Sequence, residues 1–145
     1  MRVSTRSDYG LRALIELAAH WGEGPLQSSD IALQRHIPPQ YLDQLLTVLR
    51  KAGFIRSVRG PGGGHELLRD PAAIRVREVI EAFEGSLSPV GWLDEPADLT
   101  DHPHTCGQRE IWERVRDATA AILDAYTIAD LLDREPPAAV GRYSI

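Results

Sequence analysis

The chain contains little cysteine and no long apolar run. It has 145 residues and one cysteine, which excludes a framework of internal disulfides and fits a reducing compartment. Its opening sequence, MRVSTRSDYG, lacks the apolar centre of a secretion signal, and no apolar run reaches the roughly 18 residues of a transmembrane helix. We therefore expect a soluble cytoplasmic protein that does not contact a membrane.

Signatures of catalysis are also missing. We find no nucleophile with an adjacent base and no paired carboxylates. The glycine-rich segment 60–64 lacks the Lys-Ser/Thr pair and the following helix of a phosphate-binding P-loop. His102, His104 and Cys106 lie close together, but three nearby ligands in one loop are a weak zinc pattern. An enzyme is therefore the least favoured class of protein.

The net charge of −5 is distributed unevenly along the chain. Residues 1–77 hold eleven Lys/Arg and seven Asp/Glu, a net charge of +4, whereas residues 78–145 hold five and fourteen, a net charge of −9. This division suggests a basic working face followed by an acidic regulatory or dimer-forming half.

Residues 28–51 have the pattern of two consecutive helices. Ser28 and Ser29 are suitable N-caps for the first helix, and the pair Pro38-Pro39 ends it and opens the second. The second helix has an apolar face, because leucines recur at i, i+3, i+4 and i+7, and its opposite face is polar. The leucines are Leu42, Leu45, Leu46 and Leu49.

A two-stranded ribbon with a glycine-rich tip follows. Residues 54–59 favour a strand, residues 60–64 a turn and residues 65–68 a return strand. Two helices and such a ribbon are the layout of a winged helix-turn-helix, which places one helix in the DNA major groove and a loop beside it. The expected fold is mainly α with a small β-wing: a winged helix-turn-helix domain plus a long dimerisation helix.

The polar helix face and the ribbon tip are the candidate DNA-binding surfaces. Glutamine can read adenine, an acidic side chain can accept from cytosine, and basic side chains suit phosphates. Glycines let the backbone approach a phosphate, and an arginine at the tip can enter a narrow minor groove. The candidates for contact with double-stranded DNA are Ser28, Gln40, Tyr41, Asp43, Gln44, Thr47, Arg50, Lys51, Arg56, Arg59, Gly62 and Gly63.

The remaining segments flank this module. Residues 4–20 predict a helix capped by Ser4 or Thr5, and the apolar face from Val76 to Phe83 predicts another, ended by Gly85. Residues 86–107 contain three prolines and no periodicity, which predicts a long irregular loop. The expected division is a DNA-binding domain over 1–85, whose first helix also packs on the dimer region, a sensor-type loop over 86–107, a dimerisation helix and short terminal helix over 108–133, and a disordered tail over 134–145.

An apolar stripe along the predicted helix from Gln108 indicates a contact surface. Its members recur at 4-3-4 spacing, as in a coiled coil. Because helix-turn-helix proteins are usually symmetric dimers, we expect a homodimer paired partly through this stripe. The alternative is that the helix folds back on its own domain. Thr127 predicts the cap of a last short helix over 128–132. The stripe consists of Ile111, Val115, Ala118 and Ile122.

Four segments resemble the Rrf-two family of IscR/NsrR-type regulators. They are SDYGLRALIELA, YLDQLLTVLRKAGFIRSVRGPGGG, IRVREVIEAFEG and YTIADLL. The resemblance extends to about Leu132. It implies a bacterial homodimeric transcription regulator, with repression favoured, that binds a palindromic operator. It further implies that Asp43 and Gln44 reach bases and that Arg59 lies at the minor groove.

Many members of that family carry an iron–sulfur cluster on three cysteines before the long helix. Here Cys106 matches the last cysteine, and Trp92 or a neighbour stands at the first position. The middle position falls near Leu99 or Thr100, and Arg109 stands where some relatives have a histidine ligand. Because clusters are usually held by several thiolates, the main expectation is that no cofactor is bound.

A cluster with atypical ligands is the alternative. Asp8 matches a carboxylate ligand that the partner subunit supplies in nitric-oxide-sensing members, and His102 and His104 could replace lost thiolates beside Cys106. Against this, histidines in a polar loop are mostly solvated, and the helix dipole explains Asp8 in a first turn.

Two functions remain open from the sequence. The first is a DNA-binding transcription regulator. The second is a sensor in which DNA binding is secondary, with either Cys106 as a redox-sensitive thiol or the 86–107 loop as a site for a small effector or protein partner. A reactive thiol needs a lowered pKa and exposure, and a buried structural Cys106 fits the sequence equally well.

Overall fold

The computed structural model describes residues 2–96 and 107–136. The candidates His102, His104 and Cys106, and residues 137–145 of the expected tail, lie outside these described residues. The architecture is mainly α with one two-stranded antiparallel sheet, as the sequence predicts. Within the described residues, no helix has the length and apolarity to cross a membrane.

The elements follow the predicted order. Among the described residues there are also two short 3-10 turns, at Pro71–Ala73 and Gly91–Asp94, and the second lies inside the segment that was expected to be irregular. The helices are α1 (Thr5–Ala19), α2 (Ser28–Arg35), α3 (Pro39–Lys51), α4 (Val76–Glu84), α5 (Arg109–Asp124) and α6 (Ile128–Asp133), and the strands are β1 (Ile55–Val58) and β2 (Gly64–Leu67).

Helix α1 lies at the centre of the core, where it packs against α2, α3, α4 and α6. Its residues Ala13, Leu14 and Leu17 are buried there. The four leucines of the α3 stripe are at most 2% exposed, which confirms the face that the helical period predicted. Burial of each leucine contributes roughly 2 kcal/mol, so this face holds α3 firmly against the core.

The short helix α6 is attached to the same core. Val76 N donates to Tyr126 O at 2.9 Å, and Ile128 N donates to Ile74 O at 2.9 Å, so the chain before α6 runs beside the start of α4. Ile128 is fully buried. The Thr127 hydroxyl accepts from a backbone N–H of the first turn at 3.1 Å, which confirms the predicted cap.

The start of α2 differs from the sequence prediction. Its N-cap is Gln27, so the assignment of Ser28 or Ser29 as the cap was wrong. Two backbone hydrogen bonds between Leu26 and His65, at 2.8 and 2.7 Å, hold the chain extended beside the wing up to Leu26. The helical turn begins directly after this bridge, and Ser28 becomes the first helical residue.

Candidate nucleic-acid interface

Helix α3 presents a polar face to solvent on the side opposite its leucines. Pro39 opens the helix, where its missing N–H is not needed, and two cations occupy the last turn, where the helix dipole favours them. The Thr47 hydroxyl donates to Asp43 O at 2.9 Å, so this half-buried side chain is partly satisfied within the helix. The exposed candidates on this face are Gln40, Tyr41, Asp43, Gln44, Arg50 and Lys51.

The wing packs against α3, and its strand register decides which side chains face the helix. The paired residues are Ile55 with Leu67, Arg56 with Glu66, Ser57 with His65, and Val58 with Gly64. The first of these pairs is buried in the core. Because side chains alternate across a strand, the third pair shares this inner face, whereas the second projects from the outer face.

Arg56 is engaged on the outer face of the wing. Its Nε donates to Glu66 Oε1 at 2.6 Å, and the two side chains form an ion pair. The Arg56 side chain is 61% exposed, so the pair is solvated and adds little stability. Glu66 was not a sequence candidate, because the partner of Arg56 depends on the register that the turn sets. Its carboxylate reduces the net positive charge on the outer face of the wing.

The glycine-rich tip leaves Arg59 exposed at the end of the wing. Gly63 is required by the turn, because a Cβ there would lie 2.3 Å from the carbonyl oxygen of Val58 and 2.8 Å from that of Gly60. Gly62 has a φ of 74°, and a Cβ there would meet open space. Of the two glycine candidates, Gly62 leaves room for a phosphate beside the backbone, whereas Gly63 already has a role within the fold.

His65 lies beside the candidate residues of α3 and the wing, and the sequence interpretation did not include it. Its Nδ1 lies 3.1 Å from Ser57 Oγ across the ribbon. Burial lowers the pKa of His65, the positive charge of Arg50 lowers it further, and the charge of Asp43 raises it. The ring is therefore within electrostatic reach of the polar face of α3. Side chains alternate between the two faces of a strand, so the sequence alone does not show which face His65 occupies. Its face becomes clear only when the pairing with Ser57 is known.

Ser28 also lies on the side of the module where α2 and α3 meet. It is half-buried at the start of α2 and lines an open groove together with His36 and Asp43. The helix-turn-helix therefore brings Ser28 close to the polar face of α3.

The described residues do not fit the thiolate-held cluster that the resemblance suggested. The Asp8 carboxylate accepts from Nε and Nη2 of Arg12, both at 3.1 Å, so it is neutralised within α1. Arg109 Nε lies 2.6 Å from Glu113 Oε1, and its guanidinium carbon lies 5.9 Å from the centre of the Trp92 ring. A guanidinium has only donors, and one cysteine cannot supply several thiolates.

Possible metal ligands elsewhere in the described chain are scattered. Among residues 2–96 and 107–136, no group of three His, Cys, Asp or Glu side chains is arranged to hold a metal ion. Asp8 is the one metal candidate that the structure describes, and it stands in the Arg12 pair.

Helix α5 has no buried residue, although it packs against α4 and the 3-10 turn at Gly91–Asp94. The predicted stripe remains open to solvent. Ile111 and Ile122 are 58% and 62% exposed, Val115 is 37% exposed, and Ala118 is also exposed. The described residues of its own chain therefore leave most of this apolar stripe uncovered, although Val115 also lines a groove with Ile80 of α4.

A buried leucine face, an exposed polar helix face and a ribbon with an arginine at its tip define a winged helix-turn-helix DNA-binding protein. Residues 3–134 match the family model Rrf2, described as iron-dependent transcriptional regulator. The chain belongs to this family, and it is a DNA-binding transcription regulator of the helix-turn-helix type.

Several regulators are similar to this chain over nearly its full length. HTH-type transcriptional regulator CymR of Bacillus subtilis (strain 168) is 41% identical over 133 residues, which cover 90% of this chain and 89% of CymR. The solved structure of B. subtilis CymR, described as the global cysteine regulator, has a TM-score of 0.78 at 38% identity and covers 94% of this chain and 99% of that one.

Two further solved structures have the same arrangement. The oxidized form of Staphylococcus aureus CymR has a TM-score of 0.73 at 33% identity, with 94% of this chain and 99% of that chain covered. IscR of T. potens has a TM-score of 0.70 at 37% identity, with 92% and 87% covered.

Proposed function

We propose that this regulator is a repressor that binds a palindromic operator as a homodimer, with α3 in the major groove and the wing at the adjacent minor groove. The observation that carries this proposal is the exposed polar face of α3 directly beside a wing with Arg59 at its tip. A dimer bound across a promoter excludes RNA polymerase sterically, so repression does not require a separate surface that contacts the polymerase.

The side chains divide into readers of bases and binders of phosphate. Asp43 and Gln44 lie on the exposed face of α3, where they accept from cytosine and bind adenine, respectively. Arg59 enters the minor groove, where a narrow groove attracts a guanidinium. Phosphates orient the module through Arg50, Lys51, Ser28 and the backbone at Gly62, with Gln40, Tyr41, Thr47 and Arg56 at the margin of the contact.

The test begins with selection of the operator from a random-sequence duplex library by the wild-type protein. We expect two inverted half-sites whose centres are about 34–36 Å apart, one turn of DNA. Arg59→Ala should weaken binding about tenfold, and Gln44→Ala should relax the preference at one base pair, since a good base contact contributes roughly 1–3 kcal/mol. Arg114→Ala, which removes an exposed arginine of α5, is the control. Equal affinity of Arg59→Ala and Arg114→Ala at every salt concentration would remove the wing from the interface.

The homodimer is proposed from the uncovered stripe on α5. A second copy of the same helix supplies an apolar surface of matching spacing, and the two-fold symmetry then matches a palindromic operator. The half-buried residues of α5, such as Trp112, Arg116 and Ala120, lie on the side that packs on its own domain. Ile111, Ala118 and Ile122 lie on the exposed side of the helix, and Val115 lies at the margin of that side, where it also lines a groove with Ile80 of α4.

Two alanines of α5 give a matched test of the dimer. Both are exposed, but Ala118 lies on the stripe, whereas Ala121 lies about a quarter turn from the centre line of the stripe. Ala118→Glu should shift the protein to monomer in sedimentation equilibrium and weaken operator binding, and Ala121→Glu should do neither. If both variants remain dimeric, the stripe is not the contact.

We further propose that this member binds no thiolate-held cluster, because it has one cysteine and Asp8 is engaged by Arg12. Protein purified without oxygen should be colourless, should lack stoichiometric iron and acid-labile sulfide, and should still bind its operator. A charge-transfer spectrum with iron and sulfide in fixed ratio would overturn this proposal. Asp8, His102, His104 and Cys106 would then be the ligand candidates.

The second candidate function is redox sensing at Cys106. The similarity to Staphylococcus aureus CymR, which was solved in an oxidized form, favours it over an effector site in the 86–107 loop. Oxidant should change operator affinity of the wild type, and Cys106→Ser should abolish that response. A Cys106→Ser variant that still responds to oxidant would move attention to the loop as an effector or partner site.

A further inference from the structure

His65 occupies the junction between the two DNA-binding elements. Its backbone is bonded to Leu26 on one side, at 2.8 and 2.7 Å, and belongs to the strand pair on the other. Its side chain meets Ser57 Oγ at 3.1 Å on the inner face of the wing, the face that packs towards α3. The ring therefore lies on the side of the wing that faces α3, with one ring nitrogen at hydrogen-bonding distance from Ser57.

Charged groups lie near His65 on α3 and in the hollow behind the wing. Helix α3 contributes Arg50 and Asp43, whose charges both act on the ring. Leu26 contributes backbone groups only. The hollow behind the wing contains the Arg56–Glu66 pair and His20, and His20 in turn contacts the carboxylates of Glu16, at 3.3 Å, and Glu23, at 2.8 Å.

We propose that His65, together with Ser57 and Arg50, forms a subsite for one backbone phosphate of the operator, located between the major-groove and minor-groove contacts. The inference rests on the proposed placement of α3 and the wing on DNA. The Ser57 hydroxyl and the His65 imidazole lie on the inner face of the wing, and Arg50 of α3 is near enough for its charge to act on the ring. All three groups are hydrogen-bond donors suited to a phosphate.

Phosphate binding at this position couples DNA affinity to pH. The pKa of His65 in the free protein is lowered by burial and by Arg50, so the ring is neutral near pH 7. A phosphate beside the ring favours its charged form and raises that pKa in the complex. Affinity therefore rises as the pH falls through the pKa of the complex, and the gain is complete below the pKa of the free protein. A rise of one pKa unit corresponds to about tenfold in affinity per half-site.

The first test measures the affinity of wild type, His65→Gln and His20→Gln for the selected operator duplex between about pH 8 and about pH 6. The glutamine at position 65 preserves a donor towards Ser57 but cannot take up the proton. Wild type and His20→Gln should gain affinity at the lower pH, by up to about tenfold per half-site for a pKa rise of one unit, and His65→Gln should lose that gain. Equal gains in all three proteins, with wild type still bound, would overturn the subsite and leave the proposed function standing.

Two measurements do not depend on the fold of the variant. The imidazole pKa of His65 in wild-type protein, followed by NMR, should rise when the operator duplex is added, and an unchanged pKa would contradict the proposal. In a second measurement, single phosphates of the operator duplex are replaced by neutral methylphosphonates. The pH-dependent gain in affinity should disappear when the replaced phosphate lies at one position between the base contacts of α3 and the minor-groove site. If no single replacement removes the gain, there is no such subsite. If the wild-type protein does not bind any selected operator, that result would contradict the proposed function itself.

Discussion

A Cβ atom on Gly10 would lie 2.3 Å from the nearest carbon of the Phe83 ring, so α1 and α4 meet at a point that has no room for a side chain. The ring is 7% exposed and is covered on one side by the guanidinium of Arg6, whose central carbon lies 5.8 Å from the ring centre. Gly10 therefore sets the distance between the helix that organises the core and the helix that follows the wing.

We predict that Gly10→Ala destabilises the protein by about 1–3 kcal/mol, as expected for an overpacked core. Helix propensity acts in the opposite direction by about 1 kcal/mol, so the sign of the change shows which effect dominates. Urea unfolding at fixed protein concentration provides the measurement. Gly91→Ala, where a Cβ meets nothing within 4 Å, is the control. In a Phe83→Leu background the cost of Gly10→Ala should shrink, and an undiminished cost would contradict the ring contact.

Periodic features of this chain could be predicted from its sequence. The leucine face of α3, the proline at its start and the cap at Thr127 are local patterns, and each stands where the pattern placed it. The exposed polar face of α3 followed from the same period, since the residues opposite a buried stripe face solvent.

Contacts between distant segments could not be predicted in this way. Because Leu26 pairs with His65, α2 begins earlier than the sequence predicted. Because Glu66 pairs with Arg56, the wing carries less net positive charge than the sequence candidates implied. Both depend on strand register, which the turn geometry sets and the composition does not reveal. Gly10 carried no signal either, because a helix interior gives no reason to expect a neighbouring ring.

The end of α2 provides a second prediction. His36 has a φ of 53°, a left-handed conformation that is unfavourable for a residue with a Cβ. His36→Gly should therefore raise the free energy of unfolding by roughly 0.5–1 kcal/mol, as at other helix C-termini where glycine is preferred. His36→Ala retains the strain and should give no gain in the same urea titration. A gain from alanine equal to that from glycine would show that the imidazole, and not the backbone, is responsible.

Two glycines at the wing tip allow a structural role to be distinguished from a role in DNA contact. Gly63→Ala forces a Cβ against the carbonyl oxygens of Val58 and Gly60, which are backbone atoms, so both thermal stability and operator affinity should fall. Gly62→Asn keeps a residue that tolerates its φ of 74° in open space, so stability should change little. If Gly62 approaches a phosphate, the Asn variant should still weaken operator binding. Unchanged affinity would remove Gly62 from the interface.

Glu84 predicts a pH dependence of stability. Hydrogen bonds from Ser4 and Ser7 lower the pKa of this carboxyl below its ordinary value of 4.5. The Ser7 hydroxyl donates to Glu84 Oε1 at 2.6 Å and the Ser4 N–H at 3.0 Å. A lowered pKa stabilises the fold above the unfolded value, and this contribution is lost as the pH falls through the folded value. Glu84→Gln should thus lower the melting temperature at neutral pH and make little difference in acid. Equal effects at both pH values would contradict this linkage.

The last prediction concerns how far the DNA-binding domain extends. Ile128 of α6 is fully buried against the core that α1 organises, whereas Leu33 of α2 is 73% exposed. Ile128→Ala should cost about 2–5 kcal/mol, the range for a large aliphatic side chain in a packed core, and Leu33→Ala should stay within roughly 0.5 kcal/mol. Urea unfolding of both variants provides the comparison. A large cost at Ile128 in a single cooperative transition would make α6 part of the DNA-binding domain, although α5 separates it from the wing in sequence. A cost no greater than that of Leu33→Ala would show that α6 is separable from this core.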